Sequence, residues 1–377
     1  MDNINKKVSF LYLSEEDMIK AGVLNMQKCV ETIDETFKLL GKGDYLMGGP
    51  RENEHGLMIW FPEEKRFANM PIAGPDRRFL AMISYLGGKF NVCGEKWYGS
   101  NIENPKKRGL PRSILIVVLN DPITSKPLAF MSANLISAMR TGAVPGVAAK
   151  YLANQDSKVA GIIGCGVISK TCLMAIVETH KDLKEIKVYD IFQEKAKSFC
   201  KEMSQMLSLN VYPVDSLEKA IVGTDIISVA AAGKKHPFIK TEWLKEGSLL
   251  TLTGVADLSD DCYMNNKIVA DNWKMHLAWL AESKEHPKGV ESIVGWAMSG
   301  KLLKLIDDGR KKQEDILSLG DIVSGKVQGR KDKKEKIIFI SGGMSVEDIA
   351  WGYTIYKKAL KEGIGKELVL WNKPYWF

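Results

Sequence analysis

The chain has 377 residues, 45% of them hydrophobic and 26% charged, with a net charge of +7. No apolar run reaches membrane-spanning length. The polar start, Met1 to Lys7, lacks a signal-peptide core, so a cytoplasmic protein without a membrane partner is expected. Much of the positive excess lies in short runs such as Lys106-Lys107-Arg108 and Arg310-Lys311-Lys312 without interleaved aromatics, which argues for solvated loops and against a nucleic-acid partner.

This length favours two domains over a single core. Residues 14–40 read as helix, with Ser14 as the cap and Asp17 at the third helical position; Gly22 divides the run. From Gly48 to Val118 the pattern turns to short extended pieces. Gly56–Phe61 ends at Pro62, and Phe79–Leu86 ends at Gly87-Gly88. The second of these has few β-branched residues and is also compatible with a short helix. Ser113–Leu119 and Ile123–Met131 flank a polar turn and suggest a hairpin. Ser132–Tyr151 is helical in character.

Strand and helix then alternate. Strands are expected at 158–163, 185–189, 211–214, 226–230, 249–253 and 267–270, with helices at 167–179, 193–207 and 216–222. That rhythm is the signature of a parallel α/β sheet. Ile337–Ser341 reads as a further strand. Ser345 is expected to cap a last helix, with Asp348 at its third position, and this helix to pack back on the first domain. The fold class expected is α/β: a Rossmann-type parallel-sheet domain plus a discontinuous α+β substrate and dimerisation domain. The boundaries are 1–150, 151–336, and a returning segment 337–377.

The six cysteines show no CxxC pair and the five histidines no HExxH, so free thiols are expected and a zinc hydrolase is not. The chemistry concentrates at Gly164-Cys165-Gly166. There an apolar strand ends in a Gly-x-Gly turn and a helix begins. Gly164 permits the bend, and Gly166 removes a side chain where a pyrophosphate comes close. Amides at the helix start, Val167 and Ile168, are placed to bind phosphate oxygens. Ser169 holds the third glycine position. Asp190 closes the next strand, where an acid binds ribose hydroxyls. No basic pair follows it, so NAD is preferred over NADP. Small residues around Ala231 leave room beside a bound ring.

Arg140-Thr141-Gly142-Ala143 reads as the approach to a helix starting at Thr141 or at Pro145, with free amides for an anion. Arg140 adds a fork of donors suited to a carboxylate. Asp257, beyond the strand Leu249–Thr253, is an acid/base candidate. Lys96 and Arg51 are ambiguous from their own surroundings.

The segments Arg140–Ala143 with Ala148–Ala153, Gly161–Gly166, Gly109-Leu110-Pro111 and Gly343–Asp348 occur in an order that resembles the ornithine cyclodeaminase/μ-crystallin family over nearly the whole chain. The resemblance implies a homodimer, NAD as cofactor and a small amino-acid substrate. It implies that Arg140 and Arg51 bind the substrate carboxylate, and that Lys96 contacts that carboxylate or the reacting nitrogen. Asp257 is implied as the active-site aspartate, and Thr141 and Ala231 as cofactor contacts. Gly254-Val255-Ala256 departs from the family's glycine-rich form, and Pro145 is a second departure. Extra length around Glu103–Arg108 and Lys288–Ser299 is a candidate to alter the substrate pocket, in a direction the sequence does not give. The first activity expected is ornithine cyclodeamination: oxidation to an imine, cyclisation with loss of ammonia, and return of the hydride. A net dehydrogenase or imine reductase acting on an amino acid or N-substituted amino acid is the alternative. A nucleotide-binding protein without turnover is a third reading.

Overall fold

A computed structural model describes residues 6–74, 76–233 and 235–376. The chain forms two compact units, both discontinuous in sequence. The first takes the N-terminal stretch to Asn25, Asp44–Ser137, and Met344 onward; the second takes Met26–Gly43 and Ala138–Gly343. Among the described residues no helix is long and apolar enough to cross a membrane, and the six cysteines are free.

The first unit is built on a mixed eight-stranded sheet. Its order is Lys366–Trp371, Val8–Leu13, Pro127–Ser132, Ser113–Asn120, Val92–Ser100, Arg78–Leu86 and Tyr45–Met47, with Leu57–Trp60 also pairing with Arg78–Leu86. The expected hairpin is present, with Ile116 opposite Ser132 and Val118 opposite Phe130. Arg78–Leu86 is a strand and not a helix. Leu80, Met82, Ser84 and Leu86 are buried while Phe79 and Ile83 are exposed, the two-residue period of a half-buried strand. The helix Ser345–Glu362 covers the buried face of this strand, of Val92–Ser100 and of Ser113–Asn120. Burying a side chain such as Leu80 or Val117 there contributes about 1.5–3 kcal/mol relative to exposure.

The start of that helix differs from expectation. Met344 is the capping residue and Ser345 the first helical one. Methionine offers no oxygen to the free amides, so the Glu347 carboxylate supplies the contact, accepting the Met344 amide at 3.1 Å. Asp348 is thereby released for another partner.

The second unit holds a parallel sheet ordered Asn210–Pro213, Glu185–Tyr189, Val159–Ile163, Ile226–Val229, Leu249–Leu252, Ile337–Ile340, Lys267–Ala270 and Leu317–Ser318. The strand order reverses at Val159–Ile163, so a crevice is expected beyond the carboxyl ends of that strand and Ile226–Val229. Ile337–Ile340, read from sequence as the start of the returning segment, lies between two parallel partners, and the unit continues to Gly343. All four of its residues are buried, so it has no face to show solvent at a sheet edge. The helix Met26–Lys42, within the span read as the first domain, also belongs here. Its buried stripe, including Val30, Ile33 and Phe37, packs on Leu319–Val323 and on Val167–Thr179.

Candidate active site

The glycine turn has the geometry its sequence implies. Gly164 has φ +94°, and a β-carbon on it would stand 2.9 Å from the Ala231 Cα, so both conformation and space require glycine. Gly166 precedes the helix Val167–Thr179 in extended conformation, and a β-carbon there would meet nothing within 4 Å. That open space adjoins a cavity of about 470 Å³ lined by Gly164, Gly166, Asp190, Phe192, Ala231, Lys195 and His236 among others. Packing does not demand glycine at Gly166; the empty cradle beside a helix start does, and it fits a pyrophosphate. Val167 is exposed at the helix start. Ser169 is buried within the helix, its hydroxyl without a hydrogen-bond partner.

Asp190 is tied into this turn. Its Oδ2 accepts the Cys165 amide at 3.0 Å and its Oδ1 accepts the Phe192 amide at 2.9 Å. The carboxylate therefore fixes the ends of both loops lining the cavity. Cys165 is an inert neighbour. Burial, and then the negative Asp190, push its thiol up to about 12, so it stays protonated at neutral pH.

Arg140 sits inside a continuous helix, Asn134–Leu152, which corrects the expected helix start at Thr141 or Pro145. Asn134 begins the helix, and Pro145 is accommodated within it. The free amides anticipated near Thr141 are therefore not available, and of the two anion-binding features read from the sequence only the Arg140 side chain remains. The reason for Gly142 is also packing. A β-carbon there would lie 2.3 Å from the Thr171 backbone, and one on Gly146 would lie 2.6 Å from the Ala175 β-carbon. One turn apart, these glycines let the Arg140 helix settle directly on the phosphate-side helix Val167–Thr179. Arg140 is itself buried, at 5% exposure.

Asp257 opens a short strand paired with Phe238–Ile239. Its carboxylate is half exposed and stands 3.7 Å from Nδ1 of His236, which lines the cofactor cavity. His236 was not singled out from sequence, since it lies in a Lys-rich loop with no motif around it. Lys96 and Arg51 belong to the first unit. Lys96 points to the buried face of its strand and donates to Asp348 Oδ2 at 2.7 Å, both side chains almost fully enclosed. Arg51 is half exposed and pairs with the buried Glu54 at 3.1 Å, whose carboxylate also takes the Arg51 and Asn53 amides. Sequence reading missed Asp348 as a partner of Lys96. The available signal was an acid set among Val346, Ile349 and Ala350 on a helix with a buried face.

The sequence profile of the Ornithine cyclodeaminase/mu-crystallin family matches residues 23–363. The chain is 29% identical to N-((2S)-2-amino-2-carboxyethyl)-L-glutamate dehydrogenase of Staphylococcus aureus, over 96% of this chain and 98% of that protein. It is 31% identical to the Thermococcus litoralis Delta(1)-pyrroline-2-carboxylate reductase, whose structure holds NADH and L-proline, with a TM-score of 0.77 and coverage of 95% and 99% of the two chains. A lysine cyclodeaminase structure superposes with a TM-score of 0.72 over 96% and 95%, but at 18% identity it shares the fold alone.

Proposed function

The chain belongs to the ornithine cyclodeaminase/mu-crystallin family, and on that premise we propose that it is a net NAD-dependent dehydrogenase or imine reductase acting on an amino acid or N-substituted amino acid. It is an NAD-binding enzyme of amino-acid chemistry. The observation that favours net redox over cyclodeamination is the end-to-end identity with a dehydrogenase and a reductase, against a cyclodeaminase likeness confined to fold. Ornithine cyclodeamination, the first activity expected from the sequence, becomes the second reading.

The residue roles follow from their chemistry. Arg140, presented from a helix locked onto the cofactor helix, is proposed to hold the substrate carboxylate through paired N–H donors. Arg51, in the first unit, is likewise proposed as a carboxylate-binding cation, and its buried partner Glu54 fixes its backbone. NAD, when bound, exchanges a hydride with the carbon that bears nitrogen and carboxylate. Lys96 is proposed to polarise the imine nitrogen or pass it a proton, with Asp348 holding its ammonium in place. Asp257, half exposed beside His236, is proposed to carry protons between that chemistry and solvent.

The homodimer is part of this proposal. One face of the first unit's sheet carries Phe79, Ile83, Trp97 and Ile114, all exposed, with Phe79 stacked on Trp97 at 5.7 Å between ring centres. A contiguous apolar face of this kind is what a second copy covers. A cytoplasmic location suits an enzyme that draws on the soluble NAD pool. The activity is tested by a screen of amino acids and N-carboxyalkyl amino acids with NAD, following NADH and ammonia together. Turnover of ornithine to a cyclic product without net NADH would restore the cyclodeaminase reading.

A further inference from the structure

Ser299, His276 and Asp271 form a fully buried chain in the second unit that neither the cofactor turn nor the proposed substrate residues explain. His276 Nδ1 lies 2.7 Å from Ser299 Oγ, and its Nε2 lies 2.8 Å from Asp271 Oδ1. These residue types serve elsewhere as a nucleophilic relay. Here Ser299 and His276 are completely enclosed and Asp271 is 1% exposed, so no substrate reaches the serine oxygen. The arrangement holds structure.

What it holds is specific. Asp271 Oδ2 accepts the amides of Gly342 at 2.6 Å and Gly343 at 2.9 Å, and the Ser341 hydroxyl at 3.3 Å. These three residues are the exit turn of the strand Ile337–Ile340. Gly343, at φ +77°, lies so close to Arg140 that a β-carbon on it would stand 2.7 Å from Nη1. The turn is therefore one wall of the space in which the Arg140 guanidinium sits. Behind it, a β-carbon on Gly342 would stand 2.3 Å from Met275 and 2.8 Å from Trp279, so the turn has no room to retreat. Trp279 packs edge-on against His276 on one side and Trp296 on the other. Ser299 and Trp296 belong to the segment Lys288–Ser299, the extra length whose purpose is not evident in the sequence.

We infer that Asp271 and His276 are positioning residues for Arg140, and that the segment 288–299 acts through Ser299 and Trp296 to fix the Gly342-Gly343 turn against the guanidinium. The inference rests on the proposed role of Arg140 only for its kinetic consequence; the geometry stands without it. Two chain segments, 271–276 and 341–343, meet at one carboxylate, which accepts four backbone or hydroxyl donors besides the histidine, and Ser299 ties a third segment to that histidine. A carboxylate so occupied holds its donors in one arrangement, because any shift strands a buried polar group.

The test compares crystal structures of the full-length wild type, H276A and the milder S299A, together with NAD affinity and kinetics. The expected result is a shift of Gly343 and the Arg140 guanidinium by about 1 Å or more in H276A, a smaller shift in S299A, and an unmoved Gly164–Gly166 turn. A displacement of that size costs on the order of tenfold to a hundredfold in turnover efficiency. The expected loss appears as a raised KM for the best amino acid from the screen, with NAD affinity unchanged. The effect of H276A is expected to be non-additive with R140K, since both act on one group. Arg140 in its wild-type place in both variants, or effects of H276A and R140K that simply multiply, overturns the inference. A wild type that turns over no amino acid removes the functional reading instead, and the crystal structures still decide the positioning claim.

Discussion

Lys96 and Asp348 stand 252 residues apart in sequence, yet their charged atoms meet at 2.7 Å with both side chains enclosed. The pair joins a central strand of the first unit to the helix covering it. Removing one partner of such a pair takes a neutralising contact away from a buried charge, at a cost of up to about 3–5 kcal/mol. K96M is therefore expected to unfold at clearly lower urea concentration than wild type. The double variant K96M/D348N is expected to regain part of that loss while remaining inactive. Equal midpoints for the single and double variants contradict the pairing.

The two glycines Gly142 and Gly166 are expected to fail in opposite ways. At Gly142 a methyl group would collide with the Thr171 backbone at 2.3 Å. G142A is expected to lose about 1–3 kcal/mol of stability through forced separation of two helices. At Gly166 a methyl would meet no protein atom within 4 Å. G166A is expected to unfold like wild type but to bind NAD at least about tenfold more weakly, roughly 1.4 kcal/mol. Calorimetric unfolding and NADH fluorescence titration separate the two outcomes, and a stable, tightly binding G166A contradicts the cradle assignment.

Asp190 is expected to set the preference for NAD. Its carboxylate repels a 2′-phosphate, while Lys195 lines the same cavity and offers a cation to one. Asp190→Ser removes the repulsion and one acceptor of the Cys165 and Phe192 amides. The ratio of NADP to NAD affinity is expected to rise by about tenfold or more, equivalent to roughly 1.4 kcal/mol. An unchanged ratio in paired titrations removes Asp190 from cofactor choice.

Asp271 gives a pH-dependent prediction. Burial opposes its charge, but the hydrogen bond to His276, the charge of that ring, and the Gly343 and Asn272 amides outweigh burial, so the carboxyl titrates below its ordinary 3.8. A depressed folded value means that the stabilisation is complete above the unfolded value and is lost as pH falls through the folded one. D271N is expected to be less stable than wild type at neutral pH by about 1.5–3 kcal/mol, the worth of a hydrogen bond to a charged group. The gap is expected to narrow in denaturation curves taken below about pH 3.9. A gap that widens in acid contradicts the sign of the shift.

The sequence carried the cofactor side of the fold well. Helices 167–179 and 193–207 coincide with the structure, the first because the Gly-x-Gly turn marks its start, the second because Ala196, Phe199, Cys200 and Met203 recur at helical spacing on its buried face. It carried long-range partnerships poorly. Nothing local in Ile337–Ile340 says which sheet will take it, and nothing near Lys96 names Asp348. The start of the helix through Arg140 is not legible, because Pro145 looks locally like a first-turn proline, whereas tertiary packing at Gly142 and Gly146 sustains the helix across it. The Asp271 network is illegible for the same reason: three of its donors come from the strand exit 341–343, 70 to 72 residues further along the chain.

In net redox chemistry, in either direction, the hydride crosses between substrate and cofactor once and is not returned within the turnover. The most direct measurement uses the best amino-acid substrate from the screen, deuterated at its α-carbon, in a single turnover with NAD. Net redox chemistry predicts one reduced cofactor per substrate consumed, with the deuterium on the cofactor. Deuterium returned to the organic product, with no reduced cofactor remaining, would contradict the account and identify a cyclodeaminase.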